Sequence, residues 1–143
     1  MNITIICVGR VKERFTKDWI FEFEKRLRTH WKIDFKEILE SNKSDENKKI
    51  LCLINKENFN ICLDKEGIKL SSESFAELLK EKQFVPIKII IGGPEGLDSE
   101  TIRKCDISIS LGSMTWTHQI ARLLIIEQIF RAQEILRGGK YHK

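Results

Sequence analysis

The residues with the most chemical potential crowd the last third of the chain. His118 and His142 could move protons, Arg122 could hold an anion, and Tyr141 could donate a hydrogen bond or stack on a base. Two short stretches upstream could hold a ligand. Ile91-Gly92-Gly93-Pro94-Glu95-Gly96 follows an apolar run, and glycines there would let a ligand approach the backbone. Leu111, Gly112, Ser113, Met114, Thr115 and Trp116 set small polar groups beside two large apolar ones. Such a loop could offer amides and carbonyls to an adenine edge between apolar walls. Each stretch also has a plain structural reading, as a strand-to-helix turn or as a connection whose Met and Trp are core. The glycine spacing is not the dinucleotide pattern G-x-G-x-x-G, and no Gly-Lys-Ser/Thr follows, which excludes a phosphate P-loop.

Other polar features are less specific. The four cysteines, Cys7, Cys52, Cys62 and Cys105, lack metal-ligand spacing and read as buried thiols, so neither a metal nor a disulfide framework is expected. A histidine at a helix start is more often a cap than a catalyst, and a tail such as Gly138–Lys143 is on composition a frayed terminus. Basic residues gather in two places: Arg122, Arg131, Arg137, Lys140 and Lys143 near the end, and Arg10, Lys12, Arg14 and Lys17 near the start. They could hold the phosphates of a polyanion or form solvated surface.

These residues need a scaffold, and the apolar pattern outlines one. Ile3–Val8, Ile33–Leu39, Phe59–Leu63, Ile87–Ile91 and Ile107–Leu111 read as strands, the third closed by a turn at Asp64–Gly67. Phe15–Leu27 reads as a helix with Thr16 as N-cap and Trp19, Ile20, Phe23 and Leu27 on one stripe. Asp45–Leu53, Glu73–Lys82 and a short helix capped by Asp98 follow, and His118–Arg137 is the longest helix, broken by Gly138-Gly139. Alternating strands and helices predict one α/β domain over residues 1–143 with a largely parallel sheet. Ligands of such sheets bind beyond the carboxyl ends of strands, which singles out Leu63, Gly92–Gly96 and Leu111–Thr117. The last helix is apolar nearly all round, from Ile120 to Leu136, so a second subunit is expected to cover what the sheet cannot. Glu127 and Arg131 are four apart and can pair along it.

Composition sets the outer bounds. With 143 residues, 41% hydrophobic and 32% charged, the chain can bury a real core, and its net charge of +4 is only mildly basic. No apolar run approaches the ~20 residues that span a bilayer, and the N-terminus lacks signal-peptide order, so a cytoplasmic protein without membrane association is expected.

Several blocks then match one family in order and spacing: Ile91–Leu97, Ser108–Leu111 through Met114-Thr115, His118-Gln119, Arg122, Glu127-Gln128, Arg131-Ala132 and Tyr141-His142-Lys143. Ile3–Gly9, Glu24–Leu27 and Leu70–Glu73 extend the likeness over nearly the whole chain. The chain resembles the large-subunit rRNA pseudouridine N3-methyltransferases (RlmH type) of the SPOUT class. The resemblance implies a trefoil-knotted α/β fold, a homodimer, and S-adenosyl-L-methionine bound at Leu63, Gly92 and Leu111–Trp116. It implies methylation of N3 of a pseudouridine in helix 69 of 23S rRNA on the assembled ribosome. For that reaction His118, Arg122, Tyr141 and His142 are expected near the reacting atoms, with Arg131 and Lys143 on RNA phosphates. The chain departs from the pattern at Gly112, Thr117, Phe130 and Lys140, and around Ile38–Ile50, where a loop looks trimmed. Two rival readings are a non-catalytic RNA-binding module and a flavodoxin-like nucleotide-binding protein.

Overall fold

Runs of β-branched residues supply the strands, and their alternation decides which helices lie on which face. A computed structural model describes all residues from Met1 to Lys143. The elements are β1 (Asn2–Val8), α1 (Arg14–Leu27), β2 (Lys32–Ile38), α2 (Lys43–Leu51), β3 (Phe59–Lys69), α3 (Ser72–Glu81), β4 (Ile87–Ile91), α4 (Ser99–Lys104), β5 (Ile107–Ser110) and α5 (His118–Arg137). Every pairing is parallel, in the order β2-β1-β4-β3-β5. Side chains alternate across each strand. Ile3, Ile5 and Cys7 of β1 and Ile87, Ile89 and Ile91 of β4 therefore share one face with Phe23, Phe75, Leu79, Ile125 and Ile129. Ile6, Val8 and Ile90 point the other way, onto Ile50 and Leu97. Helices α1, α3 and α5 cover the first face, and α2 and α4 the second. Lys88 is the one charge within β4, and its ammonium reaches the Leu53 carbonyl at 2.5 Å.

Helix starts follow their caps. The side chains of Asn42, Ser71, Asp98 and Thr117 accept from the backbone amides of Asp45, Ser74, Thr101 and Ile120. Thr117 thus takes the capping role that a lone histidine at position 118 suggested. Two starts differ from expectation. Glu13, not Thr16, occupies the N-cap of α1 and makes no side-chain cap bond. Asn42 caps α2, which starts at Lys43, two residues before Asp45.

The turn expected at Asp64–Gly67 is instead an excursion within β3. Leu63 and Ile68 both pair with Ile109, so the residues between them loop out and β3 then resumes. Gly67 allows this, because a Cβ there would lie 2.6 Å from the Ile109 carbonyl carbon. Cys52 is exposed, contrary to the buried-thiol reading, whereas Cys7 and Cys62 are buried. Burial pushes the Cys7 thiol up to about 12.

Helix α5 is covered more fully by its own chain than its apolar circumference suggested. It packs between α1 and α3 while lying on the sheet. Only Ile120 among its large apolar residues is well exposed, at 40%. The other exposed apolar side chains nearby belong to α1 (Phe15 and Trp19) and to the loop before α5 (Met114 and Trp116).

Candidate functional site

Two strand ends and an excursion meet at one place: β4 and β5 stop there, and β3 leaves its register there before resuming. Strands β4, β3 and β5 are adjacent, so Gly92–Gly96, Leu63-Asp64 and Leu111–Thr117 meet around one cleft of about 1040 Å³. The loop before α5 forms one wall, with Met114 73% and Trp116 41% exposed. The glycine loop forms another, and it is tight: a Cβ on Gly92 would lie 2.9 Å from the Gly96 carbonyl carbon. Glu13, Asp64 and Glu95 line the mouth, with Lys43 and Lys65. Of the residues expected to bind cofactor, Leu63, Gly92, Leu111, Gly112, Met114, Thr115 and Trp116 line this cleft. Ser113 does not; its hydroxyl accepts from the Lys69 ammonium at 2.6 Å.

The N-terminal turn of α5 divides the four residues expected to react. His118 lines the cleft, and its imidazole packs on Gly9, where a Cβ would meet Nε2 at 3.2 Å and the Glu40 carboxylate at 3.3 Å. Arg122, one turn further on the same face of the helix, reaches β2 instead. Its guanidinium donates to Glu37 of β2 at 2.8 Å and lies over the Phe35 ring at 4.7 Å. The side chain is 9% exposed, and its Nε has no partner. Arg122 therefore lines a second, smaller cleft with Arg10, Lys12, Lys17, Phe21 and Glu37, not the large one.

The tail is docked, not frayed. The Tyr141 ring meets Phe130 edge-on at 4.8 Å, its hydroxyl donates to Glu127 at 3.0 Å, and the Arg131 guanidinium lies 4.7 Å over it. Arg131 pairs with the same Glu127 oxygen, and the Gln128 amide donates to the other. His142 sits 2.8 Å from Glu73 on α3. These contacts set the charge states. Burial and the hydrogen bond to Glu127 raise the Tyr141 phenol above its ordinary range, and the Glu127 bond raises Arg131. Glu73 is held at about 2 by its own backbone amide in the first turn of α3, by the Ser71 hydroxyl and by His142. Lys143 is exposed beyond this cluster. Arg131 lies thirteen residues along α5 from His118, about 20 Å at ~1.5 Å per residue. One chain thus brings His118 to the cleft and keeps Tyr141 and His142 far from it.

Four supporting residues had no chemical role assigned from the sequence. Glu46 and Asn47 lie in a charged helix, yet they are 2% and 1% exposed. Glu46 accepts from the Ser41 amide at 2.8 Å, and its other oxygen would lie 2.5 Å from a Cβ on Gly93. Asn47 accepts from the Asp98 amide at 3.0 Å. Together they brace the glycine loop from beneath. Glu37 and Glu73 are the acidic partners of Arg122 and His142. A capping signal at Asn42 fixes the phase of α2 and so points Glu46 and Asn47 inward, but burial of both could not be read from their types.

The sequence model of the family described as "Predicted SPOUT methyltransferase" matches residues 1–142. The chain is 38% identical to the ribosomal RNA large subunit methyltransferase H of Carboxydothermus hydrogenoformans, with 100% of each chain covered. It is 36% identical to the protein of the same name from Clostridium novyi, again over 100% of each chain. With an all-parallel sheet whose strand ends form the cleft, and a family match along its whole length, this chain belongs to the SPOUT family and is a methyltransferase.

Proposed function

We propose that the chain transfers a methyl group from S-adenosyl-L-methionine to large-subunit rRNA, at N3 of a pseudouridine in helix 69 of the assembled ribosome. The observation that carries this reading is the meeting of seven of the eight expected cofactor residues around one cleft. The cleft suits the cofactor. Leu63, Leu97, Leu111, Met114 and Trp116 supply apolar walls for an adenine, and Gly92 leaves room where any side chain would collide with backbone. Its mouth carboxylates favour a cation. The bound cofactor supplies an already activated methyl group. What remains for the protein is to orient a ring nitrogen in line with that methyl and to take its proton.

Residue roles follow from placement. His118 is beside the cleft and is a base candidate there. Arg122 stabilises negative charge on the deprotonated base only where the substrate spans from the large cleft into the smaller one that this guanidinium lines. Tyr141, its phenol raised, stays protonated at neutral pH and donates a hydrogen bond; His142 is the tail's proton acceptor. Arg131 and Lys143 hold RNA phosphates. Because the tail lies so far along α5 from its own cleft, we place it at the cleft of a second copy in a homodimer. Phe15, Trp19 and Ile120 offer an exposed apolar face for such pairing. The trefoil threading and a cytoplasmic setting belong to the same reading, and no helix is long and apolar enough to cross a membrane.

Tritiated methyl transfer tests it. Intact ribosomes should be labelled at one uridine-derived position and free rRNA much less. No transfer to either, with RNA binding retained, would support a non-catalytic RNA-binding module instead.

A further inference from the structure

The smaller cleft beside the cofactor site has the make-up of a nucleotide subsite. About 580 Å³ in volume, it lies between the β1–α1 connection, one flank of α1, β2 and Arg122. Arg10, Lys12, Lys17 and Arg122 face it against two carboxylates, Glu24 and Glu37. Glu24 is already paired with Arg28, and Glu37 is shared between Arg10 at 3.7 Å and Arg122 at 2.8 Å. Positive charge is therefore in excess. Arg122 adds an unmet demand: a guanidinium nine-tenths buried, with one carboxylate partner and an unpartnered Nε. Burying such a group is costly unless more acceptors are supplied, and an anionic ligand supplies them. At the rim Phe21 is 63% exposed, an aromatic ring among cations with no protein partner to stack on.

Cations around an exposed aromatic suit an unpaired nucleotide, whose base stacks while its phosphate is held by charge. The position suits one too. The Lys12 amide donates to the Gln119 side chain at 2.9 Å, and Gln119 also lines the cofactor cleft. The two clefts thus share a wall one helical turn thick, the step from His118 to Arg122. A second copy of the chain is the poorer occupant. Lys17, Phe21 and Glu24 recur at i, i+4 and i+7 on one flank of α1, whereas the apolar pair Phe15 and Trp19 lies on the other.

Building on the methyltransferase reading, we propose that this cleft holds an unpaired RNA nucleotide flanking the methylated one, its base on Phe21 and its phosphate among Arg10, Lys12 and Lys17. The test uses the full chain with Phe21→Ala, Phe21→Trp and the double change Lys12→Ala/Lys17→Ala. Anisotropy of a labelled single-stranded RNA, without cofactor, reads RNA binding apart from turnover, and the variants isolate the subsite's share of it; ribosome methylation reads it in turnover. Phe21→Ala should weaken RNA binding about tenfold and raise the ribosome KM similarly, with kcat changed less than twofold, and Phe21→Trp should restore both. The double lysine change should make the slope of log affinity against log salt shallower by about 0.7, the loss of one neutralised single-strand phosphate. Unchanged RNA affinity in Phe21→Ala overturns the proposal, as does a wild-type chain that binds no RNA. Loss of the dimer in sedimentation of these variants would also overturn it, giving the cleft to a second copy. If the wild type transferred no methyl group yet lost RNA affinity on Phe21→Ala, the methyltransferase reading would fail and the subsite would stand.

Discussion

The two ends of α5 do different things. At its N-terminal end the helix meets the ends of β4 and β5 and the excursion of β3, and its neighbours are glycines, Met114 and Trp116 around an open cleft. At its C-terminal end the side chains close on one another. Glu127, Arg131, Tyr141 and His142 are tied to each other and to Glu73 in a closed polar cluster. The first end is organised by topology: parallel strands deliver their carboxyl ends to one edge whatever the side chains are. The second is organised by side chains alone, and its polar groups spend their bonds on one another. The first has the room and the apolar walls of a ligand site; the second is a docked tail far along α5 from its own chain's cleft.

The sharpest way to break this division is to close the first end. Gly92→Val sets a branched side chain against the Gly96 backbone and should lower cofactor affinity and turnover by about 100-fold or more, checked by calorimetry and methyl transfer, with circular dichroism confirming the fold. At the second end, His142→Ala should lower kcat about 100-fold while cofactor affinity stays within twofold. Tyr141→Phe, which removes only the hydroxyl bond to Glu127, should cost about tenfold in kcat. Equal loss of cofactor affinity at both ends would erase the distinction.

Legibility in the sequence followed the same divide. The five strands and α5 could be read because Ile-rich runs and an apolar helix state their own geometry, and the strand-end rule then pointed to Leu63, Gly92 and Leu111–Trp116, all of which but Ser113 line the cleft although β3 runs past Leu63 to Lys69. The excursion at Asp64–Gly67 could not be separated from a turn, because loop residues look alike whether or not the strand resumes. Arg122 was read by type and not by direction. Its carboxylate partner is 85 residues away on β2, and only the sheet order brings Glu37 beneath α5. The tail was misjudged on composition, since Tyr141 docks through Phe130 and Glu127, contacts that no local pattern announces. Glu46 shows the converse, a charged residue on an apparently solvated helix that is buried beneath Gly93.

Smaller effects refine the comparison. Glu46→Ala removes the acceptor of the Ser41 amide and should destabilise the fold by about 1–3 kcal/mol, with a cofactor affinity about fivefold lower through the loosened glycine loop. In the tail, Glu73 is lowered from 4.5 to about 2, so its contribution is fully present above about pH 4.5 and is lost as pH falls towards 2. The thermal midpoints of the wild type and Glu73→Gln should accordingly differ at pH 6 and converge near pH 2. Smallest of all, a thiol reagent should label Cys52 quickly in the native protein and leave Cys7 and Cys62 until unfolding.

The expected division is that the strand-end cleft alone binds the cofactor while the tail serves the substrate. Calorimetry with S-adenosyl-L-methionine on the wild type, Gly92→Val and His142→Ala tests it most directly. The expected result is binding by the wild type and His142→Ala with closely similar affinities, and no measurable binding by folded Gly92→Val. No binding by the wild type, or a loss in His142→Ala as deep as in Gly92→Val, would contradict it.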